Sequence, residues 1–255
     1  MQKIGSLVHS GMNAFMLNQF GEEVEAVCDV HGGYVCRERL PGCPDCAKEA
    51  KAEAVRLEQL NRHTAILAER WKKSGMPEKF CGITLDDWVA SSPEQKKVMQ
   101  QVQAFAAGDV QRMLLMGNCG TGKTMLAAGV IGQMALQGGC NPIYTTATRL
   151  IRTIRDSWRS KDMSEQQAMD AFIAADVLVV DELGAGRCSE DDKLMLSEIL
   201  CDRYAADMPT MLISNLNAIT LKERVLDERA VDRMREGGVI ISMKWQSHRV
   251  LGAAA

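Results

Sequence analysis

From about residue 110 onward, the chain repeatedly switches between short runs that are apolar throughout and longer stretches whose apolar residues recur at helical spacing. Met113–Met116, Val177–Val180 and Met211–Ile213 are such runs, and residues of this kind suit strands buried on both faces of a parallel sheet. The pattern predicts strands at 112–116, 142–146, 177–181, 210–214 and 239–243. It places helices at 123–136, 147–159, 165–174, 191–204, near 221–225 and at 229–235. Strand and helix alternating in this way imply an α/β fold with a five-stranded parallel sheet.

Upstream the signals differ. From Ala47 to Trp71 there is neither Gly nor Pro, and Ala50, Ala54, Leu57, Thr64 and Trp71 fall at helical spacings. One long linker helix is expected, its basic residues forming a solvated face, and Ser74-Gly75-Met76-Pro77 breaks it. Phe80–Trp88 reads as an irregular lead-in. Ser92-Pro93-Glu94 opens a further helix to about Ala107, with Pro in the first turn. In the first 27 residues, Phe15, Met16, Leu17 and Phe20 suggest a short apolar helix or docking segment and nothing sharper. Two domains are expected, 1–73 and 74–255.

Composition narrows the class. The chain is 46% hydrophobic and 25% charged with a net charge of −3, as ordinary globular proteins are. No stretch approaches the ~20 apolar residues that span a bilayer. Met1–Asn18 carries one lysine and no long apolar core, so no secretory signal is expected. Nine cysteines, two of them in the loops discussed next, suit a reducing cytoplasm better than a disulfide framework. Local basic patches keep nucleic acid open as a partner despite the mild acidity.

Between the first predicted core strand and its helix lies Gly117-Asn118-Cys119-Gly120-Thr121-Gly122-Lys123-Thr124. This is G-x-x-x-x-G-K-T, a Walker A phosphate loop in the strand–loop–helix setting it needs. Its glycines let backbone N–H groups converge on phosphate oxygens, and the following helix adds its positive N-terminal end. Lys123 is placed for the β- and γ-phosphates of ATP and Thr124 for Mg²⁺. The run Val177–Val180 ends in Asp181 and Glu182, where α/β sheets bind ligands. Asp181 can hold Mg²⁺ through water, and Glu182 can polarise an attacking water. Asn215, after the strand 210–214, can orient that water. Cys188 falls in the loop beyond Glu182.

Two other constellations carry chemistry. Cys28-x-x-His31 and Cys43-x-x-Cys46 have the spacing of a closed, structural Zn²⁺ site, with Cys36 as a fallback ligand. Metal would explain how a short region with few large apolar residues folds. On the helix from 148 to 160, Arg149, Arg152, Arg155 and Arg159 share one face, and Leu150, Ile151, Ile154 and Trp158 the opposite one. Such an arginine stripe suits a phosphate backbone, with Trp158 packed inward rather than stacked on bases.

The Walker A loop, the strand end Val177–Glu182 as a Walker B segment, Ile213-Ser214-Asn215 and Glu228-Arg229-Ala230-Val231-Asp232-Arg233-Met234 together resemble the AAA+ ATPases. Glu69–Pro77 and Trp245-Gln246-Ser247-His248-Arg249 narrow the resemblance to DnaC-type replicative helicase loaders, in a phage or prophage variant with an N-terminal zinc module. IstB-type transposition ATPases share this core. The resemblance covers about Glu69 to Arg249. It implies a loader whose N-terminal module grips a hexameric DnaB-type helicase. Its AAA+ domains would self-associate with ATP to admit single-stranded DNA, with slow regulatory hydrolysis and no membrane contact. Asn215 would be sensor 1, Arg233 the arginine finger with Arg229 as alternative, and Arg249 the sensor-2-like arginine. Little chain follows Arg249, so no full helical lid is expected. The IstB-like alternative is an ATPase regulating a transposase.

Overall fold

The computed structural model describes residues 21–39, 42–136, 140–159 and 161–247. The chain divides into two compact units, 1–65 and 66–255. The division falls inside a single helix, α1, which runs Pro44–Lys73. Among the described residues no helix is long and apolar enough to cross a membrane.

In the first unit, β1 (Glu23–Cys28) and β2 (Gly32–Arg37) form an antiparallel hairpin. The sequence reading assigned no strands here, although Glu23-Val24-Glu25-Ala26 alternates with the period of a strand. Val24, Ala26 and Cys28 are half-buried on one face, and Gly32 at φ +77° closes the turn. β1 ends at Cys28, His31 lies in the hairpin turn that follows, and α1 begins just after Cys43, so the turn presents Cys28 and His31 and the helix start presents Cys43 and Cys46.

The second unit is the expected parallel sheet. Its strands are β3 (Arg112–Gly117), β4 (Pro142–Thr146), β5 (Val177–Leu183), β6 (Thr210–Ser214) and β7 (Val239–Met243), in the order β4-β5-β6-β3-β7. Between them run α2 (Pro93–Ala107), α3 (Lys123–Leu136), α4 (Ala147–Ser157), α5 (Glu165–Ile173), α6 (Glu190–Ala205), α7 (Ala218–Arg224) and α8 (Glu228–Arg235). Period-two alternation sends strand side chains to opposite layers. Met113, Leu115, Val179 and Ile213 pack with Phe105 of α2 and Leu126 and Ile131 of α3. Leu114, Met116, Val180 and Leu212 pack with Leu150 and Ile154 of α4, Phe172 of α5 and Ile199 of α6. Ser92, Ser164 and Ser189 each open a helix with a reciprocal capping box. The outer edge of β4 is covered where Tyr144 N–H donates to the Ser74 carbonyl at 2.6 Å.

Helix α4 corrects one expectation. It stops at Ser157 rather than Arg159, because the Ser157 hydroxyl bonds back to the Ile154 carbonyl at 2.6 Å and takes the buried position of the last turn. Trp158 therefore leaves the apolar face and is 55% exposed. Leu150, Ile151 and Ile154 are buried as expected.

Candidate functional site

The phosphate loop turns sharply between β3 and α3. Gly117 lies at φ +141° and Gly122 at φ +98°, backbone that side chains resist. A Cβ at Gly117 would collide with the Met243 carbonyl, and one at Gly122 with the Trp88 indole nitrogen. Lys123, only 6% exposed, donates its Nζ to the Gly117 carbonyl at 2.7 Å and the Asn118 carbonyl at 2.8 Å. The ammonium thus sits inside the curl of the loop, beside the path that phosphates take.

Asp181 is buried and held by three donors. Its Oδ2 accepts from Thr124 Oγ1 at 2.8 Å and from Tyr144 Oη at 2.9 Å, and its Oδ1 from the Glu182 N–H at 2.6 Å. The Tyr144 hydroxyl, pushed up first by burial and then by the Asp181 charge, stays a proton donor. Sequence reasoning missed Tyr144, because its reach to Asp181 depends on the β4–β5 register. The Thr124 hydroxyl and the Asp181 carboxylate form an oxygen pair suited to Mg²⁺ and its waters.

Glu182 is placed by a bulge. Val180 pairs with Leu212 but the next pair is Leu183 with Ser214, so Asp181 and Glu182 together face one residue of β6. Glu182 takes φ +57°, a left-handed backbone uncommon outside glycine and typical of strained functional positions. The result turns Asp181 inward and leaves Glu182 exposed. Glu182, Asn215, Lys123, Thr124, Cys119 and Phe80 line one cleft of about 310 Å³. Trp245 braces the loop from the other side, its indole N–H donating to the Thr121 carbonyl at 3.1 Å and its ring meeting Trp88 edge-on at 6.0 Å.

Arg229 and Arg233 lie on α8, and neither lines that cleft. Arg249 lies outside the described residues. Arg149, Arg152, Arg155 and Arg159 are all exposed. The last three, with Arg187 and Trp158, line a groove of about 510 Å³. Arg155 is ion-paired to Asp192 at 2.7 Å, and Arg149 makes a long 3.5 Å contact to the Gly75 carbonyl. Glu182 lines this groove as well as the nucleotide cleft.

In the first unit, one ligand atom from each of Cys28, His31, Cys43 and Cys46 lies within 4.8 Å of all the others. Cys28 and Cys46 sulfurs are 3.5 Å apart, and His31 Nδ1 is 3.3 Å from Cys46 and 3.7 Å from Cys43. Those separations match the edges of a tetrahedron with Zn–S of about 2.3 Å and Zn–N of about 2.0 Å. Glu49 accepts from His31 Nε2 at 3.0 Å, which leaves Nδ1 for a metal. That contact, followed by the Cys28 sulfur, raises the imidazole to about 9. The His31 and Val30 backbone N–H groups lower Cys28 to about 6, so it ionises readily. Cys36 stays outside the cluster, opposite Val24 in the hairpin.

Comparison with known proteins agrees with this geometry. The model of the family described as IstB-like ATP binding protein matches residues 48–252. The replicative helicase loader DnaC of Escherichia coli (strain K12) is 31% identical over 154 residues, 60% of this chain and 62% of that protein. The match therefore spans less than two thirds of that relative's length. The replicative helicase loader DnaC of Buchnera aphidicola subsp. Acyrthosiphon pisum (strain APS) is 25% identical over 182 residues, 69% of this chain and 73% of that protein. Among solved structures, the DnaC helicase loader superposes with a TM-score of 0.58 at 19% identity, over 66% of this chain and all of that one. The replication initiator DnaA bound to AMPPCP and single-stranded DNA gives 0.57 at 18% identity, over 67% and 51%. At such identities the likeness speaks for the fold.

Proposed function

We propose that this chain, which belongs to the IstB-like ATP-binding protein family, is an ATP-dependent loader of a hexameric DnaB-type replicative helicase onto single-stranded DNA. The observation that carries the reading is Glu182, which lines both the nucleotide cleft and the arginine groove. A single carboxylate at the junction lets DNA in the groove influence the hydrolytic water, and nucleotide state influence the groove. Two curated relatives are named as replicative helicase loaders, which supports the loader reading.

In this reading the residues take the following roles. The loop N–H groups and Lys123 take the phosphates, Lys123 exchanging its carbonyl partners for the β- and γ-oxygens. Mg²⁺, when bound by the Thr124 hydroxyl and the Asp181 carboxylate, supplies charge neutralisation at the phosphates. Glu182 accepts a proton from the attacking water and Asn215 orients it. Arg233 reaches the ATP of a neighbouring subunit as an arginine finger, with Arg229 the alternative one turn earlier and Arg249 serving as the sensor-2-like arginine. Hydrolysis by a lone chain is slow, because the finger must come from elsewhere.

The zinc module would supply the helicase contact. Its hairpin exposes Val27, Val30 and Val35, an apolar patch of the kind found at interfaces. One zinc per chain is expected by elemental analysis, bound by Cys28, His31, Cys43 and Cys46. Acid should release it, because protons compete for the same donors. Cys43→Ser should lose the metal and unfold the module while ATP binding persists. Zinc-free protein after gentle purification would remove the metal from the account.

The arginine groove would hold single strands through phosphates. Arg152 and Arg159 are the preferred test pair, since Arg155 already has Asp192. Changing both to Ala should flatten the salt dependence of single-strand affinity by about 1.4 units, at about 0.7 per phosphate contact. Trp158, exposed in the same groove, offers a ring on which a base can stack, so Trp158→Ala should weaken binding by about 1–3 kcal/mol. An unchanged slope would leave the stripe as a solvated helix face.

A second reading, a regulator of a transposase, is favoured by the IstB-like family model. Size-exclusion chromatography with a purified hexameric helicase separates the two. Co-elution is expected, and no complex at any nucleotide state favours the transposase.

A further inference from the structure

We propose that Tyr204 is a positioning residue that mounts Arg233 for use by a neighbouring subunit. The proposal rests on the reading of Arg233 as the finger. Tyr204 lies in the last turn of α6 and Arg233 in the last turn of α8. The Arg233 guanidinium carbon stands 4.5 Å from the centre of the Tyr204 ring, within cation–π range, and its Nη1 is 3.5 Å from the Glu236 carboxylate. A second guanidinium, that of Arg112, stands 4.9 Å from the same ring centre.

Arg112 is firmly fixed. Its side chain is 13% exposed, its Nε donates to the Glu236 carbonyl at 2.9 Å, and its Nη1 pairs with Asp207 at 3.0 Å. Arg112 opens β3, the strand that ends in the phosphate loop at Gly117. Tyr204 therefore sits between an anchored arginine and a half-exposed one, 46% open at its side chain. Arg229, in contrast, is 78% exposed with only a 3.7 Å contact to Asp227. A long, flexible arginine loses rotamer freedom when it docks on a transferring phosphoryl group. Stacking on the half-buried Tyr204 ring removes part of that freedom beforehand, which is how a positioning residue raises turnover without touching the nucleotide. The same arrangement ties the finger that serves one ATP site to the strand that carries the loop of the chain's own site.

The test uses the 255-residue chain assembled with ATP and Mg²⁺. Tyr204→Leu fills the space but has no aromatic face, and should lower turnover about ten-fold with ATP affinity unchanged. Tyr204→Phe loses the hydroxyl's contacts to Glu236 and Arg233 but keeps the ring face that mounts the guanidinium, and should stay within about two-fold of the parent. Mixing Tyr204→Leu with Lys123→Ala should recover turnover, because the Lys123→Ala subunit brings an intact Tyr204–Arg233 pair to an intact ATP site. Parental turnover in Tyr204→Leu while Arg233→Ala loses turnover would overturn the proposal. So would faster turnover in Tyr204→Leu, an equal loss in Tyr204→Phe, weakened ATP binding, or no recovery on mixing. Parental turnover in Arg233→Ala would instead remove the finger reading, and this proposal with it.

Discussion

Glu182→Gln should bind ATP and Mg²⁺ as the parent does and lose turnover by about 10²–10⁴, the range that a positioned general base contributes. The two side chains have the same shape, so the bulge and the φ of +57° at this position are undisturbed. The groups that would hold Mg²⁺ are untouched, since Asp181 takes its Thr124 and Tyr144 bonds independently of the Glu182 side chain. Only the ability to accept a proton from water is removed. Lys123→Ala should behave oppositely and fail at binding, because its ammonium is the positive charge seated within the phosphate loop. Filter binding of labelled ATP alongside phosphate release distinguishes the two. Parental hydrolysis in Glu182→Gln would show that another group activates the water.

Arg203→Met should destabilise the second unit by about 3–5 kcal/mol, as loss of a buried charged network does. Arg203 is 0% exposed yet carries no carboxylate partner within hydrogen-bond reach among the described residues. Its guanidinium donates instead to the carbonyls of Phe172, Ile173, Ala175 and Pro209 and to Thr210 Oγ1. Burial pulls it down to about 10, so it stays charged at neutral pH. One side chain thereby closes the C-terminal end of α5 and the starts of β5 and β6, donating to the carbonyls of Phe172, Ile173 and Ala175 and sharing that of Pro209 with the Leu178 N–H. Methionine fills similar volume and strips the guanidinium donors from the carbonyls of Phe172, Ile173 and Ala175 in a buried site. Arg203→Lys should recover little, because three donors on one point charge cannot span the fork. The denaturation midpoint should fall with the slope unchanged. A loss below about 1 kcal/mol would mean that water replaces the guanidinium freely.

The sheet was legible because its strands are buried on both faces and so are apolar throughout, a pattern that few other elements produce. The phosphate loop was legible because eight contiguous residues encode it. The Cys and His spacings pointed to a shared cluster, and the structure brings those four side chains together. Features that depend on tertiary register were hidden. Tyr144 reads as one more apolar strand residue until β4 is laid beside β5. Arg203 looks like a surface arginine near a helix end, since sequence gives no hint that four carbonyls converge on it. Trp158 was misplaced by continuing the helical period through Ser157, whose hydroxyl ends the helix. Arg155 sits on the predicted stripe but is engaged by Asp192, a partner 37 residues away in the chain. The hairpin was hidden by its small residues, though its alternation was present.

The most direct test places a hexameric replicative helicase on a closed circle of single-stranded DNA carrying one annealed, labelled strand. A closed ring has no free end to thread, so displacement requires that the helicase hexamer be opened. The account predicts displacement with this chain and ATP, little without the chain, and little with Lys123→Ala. Equal displacement with and without the chain, while it binds ATP normally, would contradict helicase loading as its function.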